Sequence, residues 1–161
     1  MKKFNIRVGH GVDAHAFSEG RALVLGGINI PFEKGLAGHS DADVVIHAVM
    51  DALLGAAGLG DIGKHFPNTN AQYINISSVL LLENVVSMIQ DRHYYIGNVD
   101  VTIIAQEPKI NPYIPAMQKM LAPVLKIPAD AISIKATTTE KMGFIGREEG
   151  IAAFATALIG F

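Results

Sequence analysis

Residues 41–57, DADVVIHAVMDALLGAA, constrain the fold most: Ala, Val, Leu, Ile and Met occupy most faces of the helix that this composition favours. A helix that is apolar on most faces cannot lie on a surface, so the rest of the chain must bury it. Ser40 or Asp41 stands where a cap would open it, and Gly58 or Gly60 where it would end. With 161 residues, half of them hydrophobic and 17% charged, there is material for one well-buried core and too little for two comfortable domains. Residues 1–161 are therefore read as a single domain.

Around that helix the apolar period changes repeatedly. FNIRV (4–8) alternates Phe4, Ile6 and Val8 against Asn5 and Arg7, the pattern of a half-buried strand. ALVLGGINI (22–30) sets two strand-like runs on either side of Gly26-Gly27, a two-residue hairpin signal that Pro31 terminates. Residues 60–72, punctuated by Gly, Pro and Asn, read as a long loop of the kind that usually carries function. Val79, Leu82, Val86 and Ile89 recur at helical spacing within 76–92, with Ser77 as the expected cap. GNVDVTIIAQ (97–106) is a strand, and Asn111-Pro112 cap and open a third helix running to about Leu125. AISIKATTT (131–139) alternates as a strand, residues 140–150 form a Gly-rich loop, and GIAAFATALI (150–159) is the final strand. Strands alternating with helices on one sheet predict an α+β or α/β two-layer fold.

Composition then removes several functions. With no cysteine there is neither a disulfide nor a thiolate ligand, so any transition metal must be held by histidine and carboxylate. A net charge of −2 supplies no basic field, which argues against nucleic acid and anionic membrane as partners. A phosphate group would have to be met locally, by backbone amides, metals or single side chains. No apolar run approaches the roughly 18 residues of a membrane span, and the first residues lack a leader's apolar stretch. A soluble protein of a reducing bacterial cytoplasm is expected, with a mature plastid protein as the alternative. The apolar runs exceed what a small monomer needs, which points to a closed symmetric oligomer.

Two clusters carry chemistry. In GHGVDAHAF (9–17), Asp13 and His15 are two apart, and on a strand such residues share a face. On the central helix Asp43, His47 and Asp51 fall at i, i+4 and i+8. Taken separately, Asp13 and His15 read as a surface pair and His47 as a satisfied core residue. Together they offer a carboxylate and two imidazoles, the ligand set of a three-coordinate zinc centre with a fourth position open. Asp43 or Asp51 could orient His47 through its second nitrogen, or stand solvated. His39 and Ser40 precede the helix, where a phosphate could rest on free amides; simple capping is the plainer reading of Ser40, and the two are compatible. In ATTTEKMGF (136–144), Thr137 and Thr139 suit a strand by propensity, while Glu140 at the strand end could bind a magnesium ion that bridges phosphates.

GHGVDAHAF, HSDADVVIHAVMDALLGAAGLGDIGKHFP, GNVDVTIIAQEPKI and KATTTEKMGFIGREEGI together resemble the 2-C-methyl-D-erythritol 2,4-cyclodiphosphate synthases of the non-mevalonate isoprenoid pathway, in order, from about residue 5 to 157. The resemblance implies a homotrimer in which each subunit is a mixed four-stranded sheet with helices on one face. The sheets pack around a threefold axis and the active sites lie between subunits. It also implies a lyase reaction: 4-diphosphocytidyl-2-C-methyl-D-erythritol 2-phosphate gives the cyclic diphosphate and CMP.

Carried onto matching positions, the resemblance makes Asp13, His15 and His47 the zinc ligands and Glu140 the ligand of magnesium or manganese. The cytidine pocket falls on Ala105, Gln106, Glu107, Pro108, Lys109, Ile110 and Asn111 with Thr137, Thr138 and Thr139. Further substrate contacts fall on His39, Ser40, Asp61, Ile62, Gly63, Phe66, Pro67, Asn68, Thr69 and Asn70, and stabilisation of the transition state on His39 and Thr138. Phe144, Arg147 and Glu149 match residues near the threefold axis, where an apolar channel takes an isoprenoid diphosphate in some members; an intersubunit ion pair is the plainer reading of Arg147 and Glu149. Asn68 and Asn70 stand where the family usually has acids, and Ser77 where an aspartate is common. From the residues alone, a zinc phosphohydrolase and a noncatalytic nucleotide- or isoprenoid-binding trimer remain the competing readings.

Overall fold

The computed structural model describes residues 5–161, so Phe4, expected to open the first strand, lies outside them. The strand is longer than the alternation suggested: β1 runs Ile6–Ser18. Its faces are also the reverse of the expected ones. Ile6, Val8 and Val12 are 48%, 62% and 49% exposed, whereas Gly9 and Gly11 are buried. The cause is the central helix α1, Val44–Ala57, which is buried at every position except Asp51 and Gly55. It lies so close to β1 that a Cβ on Gly9 would stand 1.9 Å from the Ala52 carbonyl oxygen, and one on Gly11 2.0 Å from that of Ala48. Only glycine permits that approach, so the larger side chains of β1 are sent to the other face.

The hairpin is as predicted, with β2 at Leu23–Leu25 and β3 at Ile28–Ile30, and Gly26 and Gly27 at positive φ in the turn. β5 (Tyr95–Ile104), β6 (Ile132–Thr137) and β7 (Gly150–Gly160) join β1 in a mixed sheet. β7 runs antiparallel between β1 and β5, and β6 pairs parallel with β5. The expected four strands become five: β4, Gly35–Leu36, pairs with Ser18 and Phe17, beyond Ala16, where the β1–β7 ladder ends. The whole sheet order is β4-β1-β7-β5-β6.

The loops expected at 60–72 and 140–150 each contain a short helix, α2 at Ile62–His65 and α5 at Gly143–Gly146. The second long helix, α3, covers Ser78–Asp91, and α4 covers Ile114–Leu125. Asn111 opens a 3-10 turn ahead of α4 rather than the helix itself. α1 packs on β1 and β7, α4 on β6, and α3 on α1 and α4, which places the helices on one face of the sheet. No described helix is long and apolar enough to cross a membrane.

Neither Ser40 nor Asp41 caps α1. Asp43 does, accepting the amides of Val45 and Ile46 at 3.1 Å each. The same fully buried carboxylate accepts the amides of Gly26 at 3.0 Å and Gly27 at 2.7 Å, fastening the hairpin turn to the start of the helix. All four of its hydrogen bonds come from backbone amides, and none comes from His47.

The glycine contact gives a paired prediction. Gly11→Ala is expected to push α1 off β1 and cost about 3 kcal/mol, the upper end of ordinary overpacking, read as a lowered denaturation midpoint. Gly55→Ala, on the same helix with its nearest non-local atom 4.0 Å away, is expected to be neutral or to stabilise by up to about 1 kcal/mol through helix propensity.

Candidate metal centre

Asp13 and His15 follow Gly9 and Gly11 on the same face of β1, where the strand has carried them past the start of α1. There His47, the fourth residue of the helix, meets them. Asp13 Oδ2 lies 2.9 Å from His15 Nε2 and 2.9 Å from His47 Nδ1, and the two imidazole nitrogens are 3.2 Å apart. Tetrahedral zinc with bonds of about 2.0–2.1 Å requires neighbouring donors roughly 3.3 Å apart, so this triangle fits one cation with small adjustments. Among the described residues these three form the one cluster of histidine and acidic side chains close enough to hold a metal ion. Asp13, His15 and His47 were predicted as ligands 34 residues apart in sequence, and the fold brings them together.

The site's charges are mutually adjusted. Burial opposes ionisation of Asp13, but the hydrogen bonds and charges of His15 and His47 outweigh it and hold the carboxyl well below the usual carboxylate range. Burial likewise disfavours a charged His15, yet the Asp13 carboxylate prevails and raises that imidazole above its ordinary value. His15 Nδ1 lies 2.6 Å from the Ala37 carbonyl, to which it can only donate, leaving Nε2 for the shared point. The Ala37–Ser40 segment is itself held by Arg21, whose guanidinium donates to the carbonyls of Gly38 and Ser40.

The partners of His47's other nitrogen differ from those expected. Nε2 meets Ser40 Oγ at 3.1 Å and Ser78 Oγ at 3.0 Å. Asp43 is occupied as a cap, and Asp51 accepts the Ile62 amide at 2.7 Å, anchoring α2. Ser78 escaped the sequence reading, although a signal was there: it shares the helical stripe of Leu81, Leu82 and Val85, so it is a hydroxyl on a buried face. Ser77, the predicted cap of α3, makes no capping hydrogen bond; Asp41 accepts the Ser78 amide at 3.0 Å instead.

A cavity of about 250 Å³ opens from the triad. Of the residues expected near substrate, His39, Ser40, Ile62, Gly63, Phe66 and Asn68 line it, joined by Gly38, Met50, Tyr73 and Leu81, which were not singled out. His39 Nε2 is buried without a protein partner. Asp61 caps α2 through the Lys64 amide, and Asn70 caps a short 3-10 turn, Ala71–Tyr73, through the Gln72 amide; neither lines this cavity, nor do Pro67 and Thr69.

A second cavity, about 110 Å³, is lined by Ala105, Pro108, Lys109, Ile110, Asn111, Ala136, Thr137 and Thr138. Gln106 ties its rim to the next loop by accepting the Lys141 amide at 3.1 Å, and Glu107 pairs with Lys109 at 3.6 Å. Glu140, at φ 52, donates its amide to Thr138 Oγ1 and accepts that hydroxyl at 3.1 Å. It is one exposed carboxylate, so it suits a magnesium or manganese ion only with phosphate oxygens completing the shell. Thr139 donates to the Met142 carbonyl, Phe144 is 47% exposed, and Arg147 pairs with Glu149 at 2.6 Å. The two cavities share no lining residue.

The sequence profile of the YgbB family matches residues 6–160. The 2-C-methyl-D-erythritol 2,4-cyclodiphosphate synthase of Bacteroides fragilis is 59% identical over 154 residues, covering 96% of this chain and 97% of that protein. The bifunctional IspDF of Campylobacter jejuni superposes with a TM-score of 0.95 at 42% identity over 99% of this chain, which spans 43% of that longer protein. IspF of Plasmodium falciparum, solved as a CDP complex, superposes at 0.85 with 37% identity over 98% of each chain. The chain belongs to the YgbB family, that of the 2-C-methyl-D-erythritol 2,4-cyclodiphosphate synthases.

Proposed function

We propose that this chain is a phosphorus–oxygen lyase that converts 4-diphosphocytidyl-2-C-methyl-D-erythritol 2-phosphate into 2-C-methyl-D-erythritol 2,4-cyclodiphosphate and CMP. The observation that carries the reading is the convergence of Asp13, His15 and His47 on one point at the wall of a cavity, in a chain 59% identical to a synthase of that name. An oxygen of the substrate's 2-phosphate forms a bond to the β-phosphorus, and the bond from that phosphorus to the bridging oxygen breaks, which releases CMP. The attacking phosphate is already ionised at neutral pH, so the protein needs no serine or cysteine nucleophile and no strong base. What remains is positioning and the neutralisation of charge.

Zinc held by Asp13, His15 and His47, and magnesium or manganese held by Glu140 together with substrate phosphates, supply Lewis acidity at the phosphoryl oxygens when bound. His39 lines the same cavity with an unpartnered Nε2, which leaves it for a phosphoryl oxygen in the transition state. Thr138, its hydroxyl oriented by Glu140, takes the corresponding role at the nucleotide end. Ile62, Gly63, Phe66 and Asn68 face the methylerythritol unit from the wall of that cavity. The segment from Ala105 to Asn111, with Thr137, Thr138 and Thr139, holds the cytidine; the relative solved with CDP supports that pocket.

Because the two cavities share no lining residue, one subunit is proposed to supply the metal end and its neighbour the cytidine end, in a homotrimer with active sites between subunits. The apolar residues Ile6, Val8, Val12 and Phe154 on the helix-free face of the sheet support sheet-to-sheet assembly about a threefold axis. Phe144 and the Arg147–Glu149 pair would then border an axial channel suited to an isoprenoid diphosphate. A cytoplasmic location accords with this metabolic role.

Incubation with the cytidylyl substrate, followed by phosphorus NMR with and without chelator, is expected to give stoichiometric CMP and a cyclic diphosphate only in the unchelated sample. Inorganic phosphate as product would instead identify a hydrolase, and tight CDP binding without turnover a binding protein. His47→Ala is expected to lower turnover by more than the roughly 100-fold that loss of an outer partner costs, with the assembly intact by light scattering. Zinc affinity should rise with pH through and beyond the ordinary imidazole range, because a proton held on His15 by Asp13 must leave before the cation enters; chelator competition across pH reads this directly.

A further inference from the structure

The structure assigns to Asp41, acting through Ser78, the positioning of His47: it keeps a proton on Nε2 and so reserves Nδ1 for the shared metal point. This rests on the reading of Asp13, His15 and His47 as ligands. An ionised carboxylate can only accept hydrogen bonds, and Asp41 accepts two from one residue, the Ser78 amide on Oδ2 and the Ser78 hydroxyl on Oδ1. The single hydroxyl hydrogen of Ser78 is thereby committed to Asp41. Toward His47 Nε2, 3.0 Å away, Ser78 offers only a lone pair, so Nε2 must carry the hydrogen. Nδ1, which faces Asp13 and His15, is then the nitrogen from which an entering cation displaces the proton shared with the Asp13 carboxylate.

Ser40, 3.1 Å from the same nitrogen, cannot decide the matter, because its hydroxyl can either donate or accept there. Asp41 breaks the tie. Ser78 is 0% exposed and His47 7%, so water does not compete for these contacts. The relay is also held by backbone: Asp41 donates its amide to the Ile76 carbonyl at 3.0 Å, and Asn75 donates to the His39 carbonyl at 2.8 Å. A ring carrying its proton on Nδ1 would present hydrogen to the incoming cation, so the relay preorganises the ligand.

Ser78→Ala separates this role from simple capping, since the backbone amide at position 78 remains to bond Asp41. In the full-length, metal-free protein, long-range nitrogen-15 NMR is expected to show His47 protonated on Nε2. In Ser78→Ala that preference should be lost and zinc affinity, measured by chelator competition, should fall about 10- to 100-fold while helical circular dichroism is kept. Ser77→Ala, beside it and without a capping bond, should bind zinc as the unsubstituted protein does. A His47 without a proton on Nε2 in the unsubstituted protein, or a Ser78→Ala variant that binds zinc as tightly, overturns the assignment. The NMR reading needs no variant, so it holds if Ser78→Ala fails to fold. An unsubstituted protein that binds no zinc instead overturns the ligand set itself.

Discussion

The close contact between the backbones of β1 and α1 at Gly9 and Gly11 is the constraint on which the rest of the molecule depends. Helices normally rest on sheets through a layer of side chains; here the strand contributes none for two successive inward positions. The helix is thus brought near enough for a short aspartate and two imidazoles to reach a common point. A bulkier interface would have held His47 away from Asp13 and His15 by the thickness of a side-chain layer. The candidate metal centre is therefore a product of packing as much as of side-chain identity.

Two aspartates in the SDAD segment carry the tension of that arrangement in different directions. Asp43 gathers four amides, two from the helix it caps and two from the hairpin turn, and so is a fully buried structural carboxylate. Asp41, two residues earlier, reaches across to α3. A few residues ahead of α1 thus join three elements, and the histidine one turn into the helix inherits their rigidity. Hydrogen bonds to ionised carboxylates are the stronger kind, and burial removes the water that would compete with them.

Much of this was legible in the chain. The hairpin at Gly26-Gly27, the buried central helix and the shared face of Asp13 and His15 follow from local spacing, because turn chemistry and shared faces act over a few residues; His47, 34 residues beyond Asp13, was joined to that pair by the family resemblance. What local spacing does not carry is which neighbour an element meets. Alternation in FNIRV identifies a strand but not which side is the core, and the decision came from glycines farther along it. Likewise Ser77 has the chemistry of a cap, yet Asp41 performs that task from 37 residues away, and Ser78, a plain helix residue by sequence, touches the metal ligand. Such cross-element partners are decided by tertiary packing, which propensity does not encode.

β1 also divides two duties between its alternate residues. Odd-numbered positions from Gly9 to His15 face the helix and the metal point, while Ile6, Val8 and Val12 face away, onto the helix-free side of the sheet. One strand thus encodes a chemical site and an adhesive surface in interleaved letters. A deletion of a single residue there would exchange the two messages at once, setting valines against the helix backbone and acid outward. Composition can drift on the outward side of the strand, but its helix-facing glycines and its length are frozen.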